Sequence, residues 1–281
     1  MGADDYSVIV LHEGSYSRTA DCVYRKCNTV LIRGPTGSYV VNPGSAWNGP
    51  DLLSSLKASG VSEPEDEIKG VICTDGHAEH VGCMSIFNCA DTMIVGYDIE
   101  KRGDKFLEHD FSDGITPYEF DENKGGADLL ESEVVLTYCF LELFFRYSLL
   151  FLFFIIWSMR QQSSGLVIFV VVGTPGQRGP QVSLLVNGRL KDSKSGECRE
   201  PCRIAVTGNL FTDVQDASRV SFLDALDGCH NETNYDKESM ANTWRRSRMF
   251  ILERADWIVP AYGPPFKVKP EYFSTPCVEL A

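Results

Sequence analysis

The sequence predicts a layered α/β or α+β fold, because short apolar strands alternate with helices along most of the chain. Strand patterns occupy residues 7–14, 28–34, 38–44, 68–77, 92–98, 181–188, 202–211 and 256–266. Helical patterns occupy residues 51–60, 81–90 and 238–255. Helices that fall between runs of strands are typical of a sheet covered by helices.

The local signals support these elements in order. Residues 7–14 and 28–34 each end in Gly, and RGPTG connects the second of them to residues 38–44 as a hairpin. The helix at 51–60 has apolar residues at positions 52, 53 and 56 and ends at Gly60, which is a C-cap signal. Residues 68–77 form a buried strand that ends in a polar motif.

The composition is that of a soluble globular chain, with 281 residues, 43% apolar and 23% charged. We expect a single domain over 1–281. The net charge of −13 disfavours nucleic-acid binding unless a local basic patch exists. The opening residues lack the features of a signal peptide, so the ten cysteines are predicted to be mostly free, buried thiols in a reducing compartment. The spacings Cys22-x4-Cys27 and Cys198-x3-Cys202 could hold a metal, but neither has a matching second half.

One segment does not suit this pattern. Residues 139–157 are nearly all apolar and long enough to cross a bilayer, within an insert over 137–165. A crossing would separate the two halves of the chain, so we expect no membrane association unless 139–157 is a genuine span. Three interpretations stay open: a translated non-coding insert or sequence error, a hydrophobic excursion from the domain, and a membrane span.

The chemistry concentrates in CTDGHAEHVG, residues 73–82, at the end of a strand. Asp75, His77, Glu79 and His80 fall within six positions there. A strand end fixes ligand geometry, and imidazole and carboxylate groups suit Zn, Mn or Fe. The alternative is a solvated acidic loop that contains two His by chance. The chain has no phosphate-binding loop, no dinucleotide fingerprint and no G-x-S-x-G elbow.

Five motifs occur in a familiar order: NPGSAWNGP, CTDGHAEHVG, GTPGQRGPQVSLLV, VTGNLF and ADWIVPAYGPPF. On these motifs the chain resembles the metallo-β-lactamase superfamily. The resemblance implies a four-layer αββα sandwich with two zinc ions at one sheet edge and a bridging hydroxide that attacks an ester, amide or phosphodiester. Within the superfamily, the chain resembles most a subfamily with a proposed endoribonuclease activity on histone pre-mRNA 3′ ends. This resemblance implies the same activity, a homodimer, and a cytoplasmic and nuclear location.

The seven positions that correspond to family metal ligands carry, in chain order, Asp75, His77, Glu79, His80, Gln177, Asn209 and Tyr262. Only His77 and His80 keep the family's residue. Asn42 stands where the family has a supporting Asp, and Glu79, at the Asp position, is the candidate catalytic residue.

The replacements weaken a metal site for separate reasons. Glu79 moves its carboxylate by one methylene, although ligand distances tolerate only about 0.2 Å. Gln177 offers a weak neutral oxygen, and Asn209 lacks the negative charge that holds two cations together. Tyr262 ligates well only as phenolate, from an ordinary pKa of about 10. Asp75 can still bind through oxygen, which leaves one weakly bound ion or none.

The predicted function is therefore a metallo-β-lactamase-fold protein with impaired or absent hydrolase activity. The alternative is an active hydrolase of phosphodiesters or esters that uses a single or atypical metal centre. RNA is a candidate partner through the resemblance, and Arg245, Arg246, Arg248 and Arg254 beside Trp244 form the best candidate basic patch. The ordinary interpretation of those arginines is a solvated helix face.

Overall fold

The computed structural model of the chain describes residues 6–34, 37–96, 99–102, 105–108, 169–175, 181–191, 198–218 and 234–273. The hydrophobic segment 139–157 and Gln177 lie outside these residues. Among the described helices, none is both long and apolar enough to cross a membrane.

The described strands are β1 (Ser7–His12), β2 (Ser15–Arg18), β3 (Val23–Lys26), β4 (Thr29–Gly34), β5 (Gly37–Val41), β6 (Ile68–Cys73), β7 (Thr92–Val95), β8 (Ile99–Arg102), β9 (Lys105–Glu108), β10 (Phe169–Gly173), β11 (Val182–Lys191), β12 (Cys202–Gly208), β13 (Trp257–Pro260) and β14 (Phe266–Lys267). The α-helices are α1 (Gly49–Ala58), α2 (Pro64–Glu67), α3 (Ala78–Val81) and α4 (Asn234–Arg254). Short 3-10 turns cover Ala46–Asn48, Met84–Phe87, Asp216–Ser218 and Pro270–Phe273.

The strands form one continuous path in the order β14-β13-β12-β11-β1-β4-β5-β6-β7-β8-β9. One edge of the long strand β11 pairs first with β10, through Val182–Val186, and then with β1, through Arg189–Lys191. The parallel β1–β11 contact therefore joins the two halves of the sheet. Strands β2 and β3 form a separate antiparallel hairpin.

Because side chains alternate between the two faces of each strand, the buried apolar residues form three hydrophobic clusters. In β4, Val30 and Ile32 point into a core shared by both halves, whereas Leu31 points to the opposite face, where it packs with α1. In β12, Ile204 and Val206 enter the shared core, and Ala205 faces α4. A strand that is apolar on both faces is covered on both faces, so the order of layers is helix, sheet, sheet, helix. This arrangement confirms the predicted fold class.

The predicted helix at 81–90 is wrong in detail. The structure has the short helix α3, a break at Gly82, and then the 3-10 turn Met84–Phe87. A Cβ atom at Gly82 would collide with the backbone of Ser45 and Ala46. The next residue, Cys83, donates its N–H to the Gly44 carbonyl at 3.1 Å and its thiol to the Ser45 carbonyl at 2.9 Å. Close packing on this neighbouring loop therefore interrupts the helix.

The cysteines of the described residues are free. Cys27, Cys73 and Cys83 are buried, as the sequence predicts, but Cys22, Cys89 and Cys198 are exposed. Cys22 and Cys27 lie in different environments, one at an exposed turn and one in the interior. That separation gives no support to a metal site built on their spacing.

Candidate functional site

The predicted motif begins where β6 ends, and Asn42 fixes the chain at that point. Asn42 follows β5 with a φ of 52°, a left-handed conformation that Asn tolerates better than most residues. Its side-chain oxygen accepts hydrogen bonds from the N–H of Thr74 at 2.8 Å and from the Thr74 hydroxyl at 3.2 Å. Asn42 therefore positions Thr74, the residue immediately before the candidate ligands.

Gly208 brings a second strand end against Thr74. It ends β12 with a φ of 50°, and a Cβ atom there would collide with the Thr74 side chain. Only glycine combines that backbone conformation with so close an approach. The turn at Gly208 in this way carries Asn209 to the motif, 134 positions away from Asp75 in the sequence.

Asp75 is the centre of a set of hydrogen bonds and is 2% exposed. Its Oδ1 accepts the backbone N–H of His77 at 2.9 Å and lies 2.7 Å from His77 Nδ1, while Oδ2 accepts the Asn209 amide N–H at 2.8 Å. Burial opposes ionisation of Asp75, but the hydrogen bonds from His77 and the electrostatic influence of the His80 and His77 rings together hold the pKa of Asp75 below its ordinary value. The carboxylate is thus charged and accepts hydrogen bonds at both of its oxygens.

His80 is fully buried beside Asp75 and is held through both ring nitrogens. Its Nδ1 lies 2.9 Å from the Thr74 hydroxyl oxygen, and its Nε2 lies 3.4 Å from the Asn209 amide nitrogen. Because the Thr74 hydroxyl donates to Asn42, its oxygen accepts from His80 Nδ1–H, which assigns Nε2 as the acceptor of the Asn209 amide. Burial lowers the pKa of His80 more than the nearby carboxylates raise it, so the ring is neutral.

Glu79 and Tyr262 form a second pair next to this set. The Tyr262 hydroxyl donates to Glu79 Oε1 at 3.4 Å, and both side chains are buried. Burial, reinforced by the Glu79 carboxylate, raises the pKa of Tyr262 above its ordinary value. The phenol therefore stays protonated, which is the form that does not ligate a metal.

Asn28 holds the loop that carries Tyr262, and the sequence patterns did not single it out. Its amide donates to the carbonyl oxygens of Pro260 at 2.7 Å and Gly263 at 2.9 Å, and its side-chain oxygen accepts the Gly14 N–H at 2.7 Å. The partners at 260 and 263 lie more than 230 positions away. No local signal marks such a contact, although a buried Asn at a strand start requires partners of some kind.

The structure brings six of the seven predicted site residues together at one end of the sheet. We call Asp75, His77, His80 and Asn209, with Thr74, the polar network; Glu79 and Tyr262 adjoin it through α3. Gln177 lies outside the described residues. The assignment of the seven residues as metal ligands stays a prediction.

The polar network does not fit a dinuclear metal centre. Both oxygens of Asp75 already accept N–H groups, and Asn209 presents a donor to them, whereas an ion requires acceptors on every side. No buried polar atom of the network lacks a hydrogen-bond partner within the described ranges. Across the same residues, no group of three or more His, Cys, Asp and Glu side chains is arranged to hold a metal ion.

The four arginines of the candidate basic patch do not share one surface. Arg248 is 5% exposed and pairs with the buried Asp216, with Nη1 3.3 Å from Asp216 Oδ1 and Nη2 donating to the Asp216 carbonyl at 2.6 Å. Its guanidinium lies between the rings of Phe211 and Trp244, 4.3 Å from each centroid. Arg248 is thus an interior residue that fixes α4 to the loop after Asn209.

Comparisons with known proteins agree with this fold. Residues 24–87 match the family model described as the metallo-beta-lactamase superfamily. The chain is 30% identical over 265 residues to metallo-beta-lactamase domain-containing protein 1 of Xenopus laevis, covering 94% of this chain and 82% of that protein. It is 24% identical to the Homo sapiens protein of the same name, covering 94% of this chain and 83% of that protein.

Among solved structures, a putative metallo-beta-lactamase from Thermotoga maritima is 14% identical, with a TM-score of 0.48, over 94% of this chain and 99% of that chain. The Xenopus relative, by contrast, matches at an identity and over a length that establish common descent. The chain belongs to the metallo-β-lactamase superfamily.

Proposed function

We propose that this chain is a metallo-β-lactamase-fold protein that does not carry out dinuclear metal hydrolysis and acts instead as a ligand-binding or regulatory protein. The observation that carries the proposal is the position of the Asn209 amide nitrogen, 2.8 Å from Asp75 Oδ2 and 3.4 Å from His80 Nε2. It places a hydrogen-bond donor at the position where the family resemblance implies a metal-bridging carboxylate.

The energetics of the network support the proposal. A bridging carboxylate offsets the repulsion between two cations, and a neutral amide does not. The Asn209 amide instead stabilises Asp75 and His80 without an ion, since a hydrogen bond to a charged group contributes about 1.5–3 kcal/mol. Insertion of a cation would require that these bonds break first.

The site nevertheless keeps the framework of the family. Asn42, Thr74 and Gly208 hold the strand ends together, and Asn28 holds the Tyr262 loop. Retention of this framework supports a binding role, because a rigid sheet edge with buried polar groups is a general place for ligands.

Metal content tests the proposal directly. We expect elemental analysis of the full chain, purified without chelator, to find less than one ion of zinc, manganese or iron per chain. Two tightly held zinc ions per chain would overturn the proposal.

An activity assay provides the second test. The substrates are bis(p-nitrophenyl) phosphate and p-nitrophenyl acetate. We expect that the double replacement His77→Ala and His80→Ala abolishes no hydrolysis of either substrate. Turnover that the double replacement abolishes, together with one bound ion per chain, would favour the alternative, a hydrolase with a single atypical metal centre.

A further inference from the structure

A cavity of about 300 Å³ lies beside the polar network. Tyr24, Arg25 and Lys26 of strand β3 line it, together with Trp47 of the loop before α1. Glu79 of α3 also lines it. This volume is at the lower end of the range for small-molecule sites in proteins, so the cavity suits a compact ligand.

Within the described residues, the two cations that line the cavity have no anionic partner at ion-pair distance. None of the ion pairs among the described residues includes Arg25 or Lys26. The Nε atom of Arg25 is buried and has no hydrogen-bond partner in the part of the chain that the structure describes. A buried donor without an acceptor is unfavourable, so an anion that reaches the Arg25 guanidinium would be stabilised there.

The position of the Arg25 guanidinium is nevertheless defined. It lies over the ring of Tyr16, 5.7 Å from the centroid, and Tyr16 in turn contacts Tyr262 with ring centroids 5.6 Å apart. A guanidinium fixed by a ring loses little conformational entropy when it binds an anion, and its planar N–H groups match a carboxylate or a phosphate.

Large apolar side chains at the mouth of the cavity are exposed. Trp47 is 79% exposed, Tyr24 is 55% exposed and Val23 is 47% exposed. Trp and Tyr are mostly buried in folded proteins, and a cluster of exposed ones marks a binding surface. Aromatic side chains that line a cavity favour a flat, unsaturated ring as the apolar part of the ligand.

The two cations that line the cavity contrast with the acidic character of the whole chain. The chain has a net charge of −13, yet two adjacent positive side chains line the cavity. The Glu79 carboxylate, which also lines the cavity, already accepts the Tyr262 hydroxyl. An anion would therefore lie against β3, away from Glu79.

We propose that the cavity between β3 and Trp47 binds a small aromatic anion, with its ring against Trp47 and Tyr24 and its carboxylate or phosphate on Arg25 and Lys26. This inference names the ligand class of the binding function proposed above and rests on it. Metal content decides whether the site is a dinuclear hydrolase, and the anion test is performed in chelator, so the two results are independent.

The ligand class is tested by calorimetric titration of the full chain in EDTA-containing buffer. The anionic probes are naphthalene-2-carboxylate and 2-naphthyl phosphate, and their relative affinity distinguishes a carboxylate ligand from a phosphate ligand. Neutral 2-naphthamide and non-aromatic cyclohexanecarboxylate are the controls. We expect one aromatic anion to bind at least about tenfold more tightly than either control. Equal affinity for 2-naphthamide would overturn the role of the cations.

Variants locate the site. Arg25→Gln and Trp47→Ala should each weaken binding of the better anion about tenfold. Arg199→Gln is the control, since the Arg199 guanidinium also lies over a ring, 4.0 Å from the Trp257 centroid, but does not line the cavity. It should leave the affinity unchanged. Equal losses in Arg25→Gln and Arg199→Gln, or undiminished binding in both cavity variants, would contradict the proposal.

Discussion

The polar network and the adjacent cavity share Glu79 as a boundary but differ in how their polar groups are satisfied. In the network, Asp75, His80 and Asn209 are buried and bond to one another. In the cavity, Arg25 retains a buried N–H that finds no acceptor among the residues the structure describes, and Trp47 is largely in solvent. On the function proposed above, the family's catalytic position serves here as a structural element, and a ligand binds beside it.

The largest expected effect comes from the glycine that permits the network. Gly208→Ala should lower the free energy of unfolding by about 3–5 kcal/mol, because it adds left-handed strain to a collision with Thr74. Urea unfolding measures it. Gly263→Ala is the matched control: its φ of 74° gives similar strain, but a Cβ there meets nothing within 4 Å. Equal losses in both variants would show that contact with Thr74 is unimportant.

Restoration of a carboxylate should break the network in a different way. Asn209→Asp places a second negative charge against Asp75 and should cost about 2–4 kcal/mol in chelator. Asn209→Ala, which removes the donor without adding a charge, should cost about 1–2 kcal/mol. Added zinc should recover part of the loss in Asn209→Asp alone, as read by urea unfolding. A more stable Asn209→Asp protein in chelator would refute the role assigned to the amide.

The buried ring of His80 predicts a pH dependence. Its folded-state pKa is held below the ordinary value of 6.5, so the unfolded state takes up the proton first. The stability is fully present above about pH 6.5 and falls as the pH drops, by up to about 1.4 kcal/mol per unit. His80→Gln should flatten the profile, measured by urea unfolding from neutral to mildly acidic pH. Burial also lowers the pKa of His12, so His12 adds to the pH dependence of the free energy of unfolding. The variant His12→Gln measures that contribution separately.

The cavity should show the smallest effect on stability. Trp47→Ala should change the free energy of unfolding by less than about 0.5 kcal/mol, because the side chain is 79% exposed. Trp244→Ala in α4, at 1% exposure, should cost about 3–5 kcal/mol. Thermal or urea unfolding compares the two. A large loss in Trp47→Ala would mean that this residue is part of the packed structure.

Those features of the polar network and the cavity that depend on local patterns could be predicted from the sequence. The short apolar runs in residues 28–34 and 202–211 identify strands, and the end of the buried strand predicted at 68–77 locates the network. The hairpin of β2 and β3 was missed, because its residues are largely exposed and carry no apolar alternation. It provides residues that line the cavity, so the cavity was missed with it.

Contacts between distant residues account for the other differences. The charge of Arg248 suggested a solvated surface, but Asp216 provides a buried partner 32 positions away. The chain break at Gly82 depends on a loop near Ser45. The interaction of Asn209 with Asp75 likewise appears only when two strand ends meet. Residue type indicates what a side chain can do, whereas its partner is set by the fold.

The contact of Asn28 with Pro260 has a consequence for biosynthesis. The two residues are 232 positions apart, and at ribosomal rates of 5–20 residues per second roughly 10–50 s separate their translation. During that interval the Asn28 amide has no native acceptor at Pro260, and the Tyr262 loop has not been made. The contacts of Asn28 can therefore form only after the segment that carries Pro260 and Gly263 has been translated.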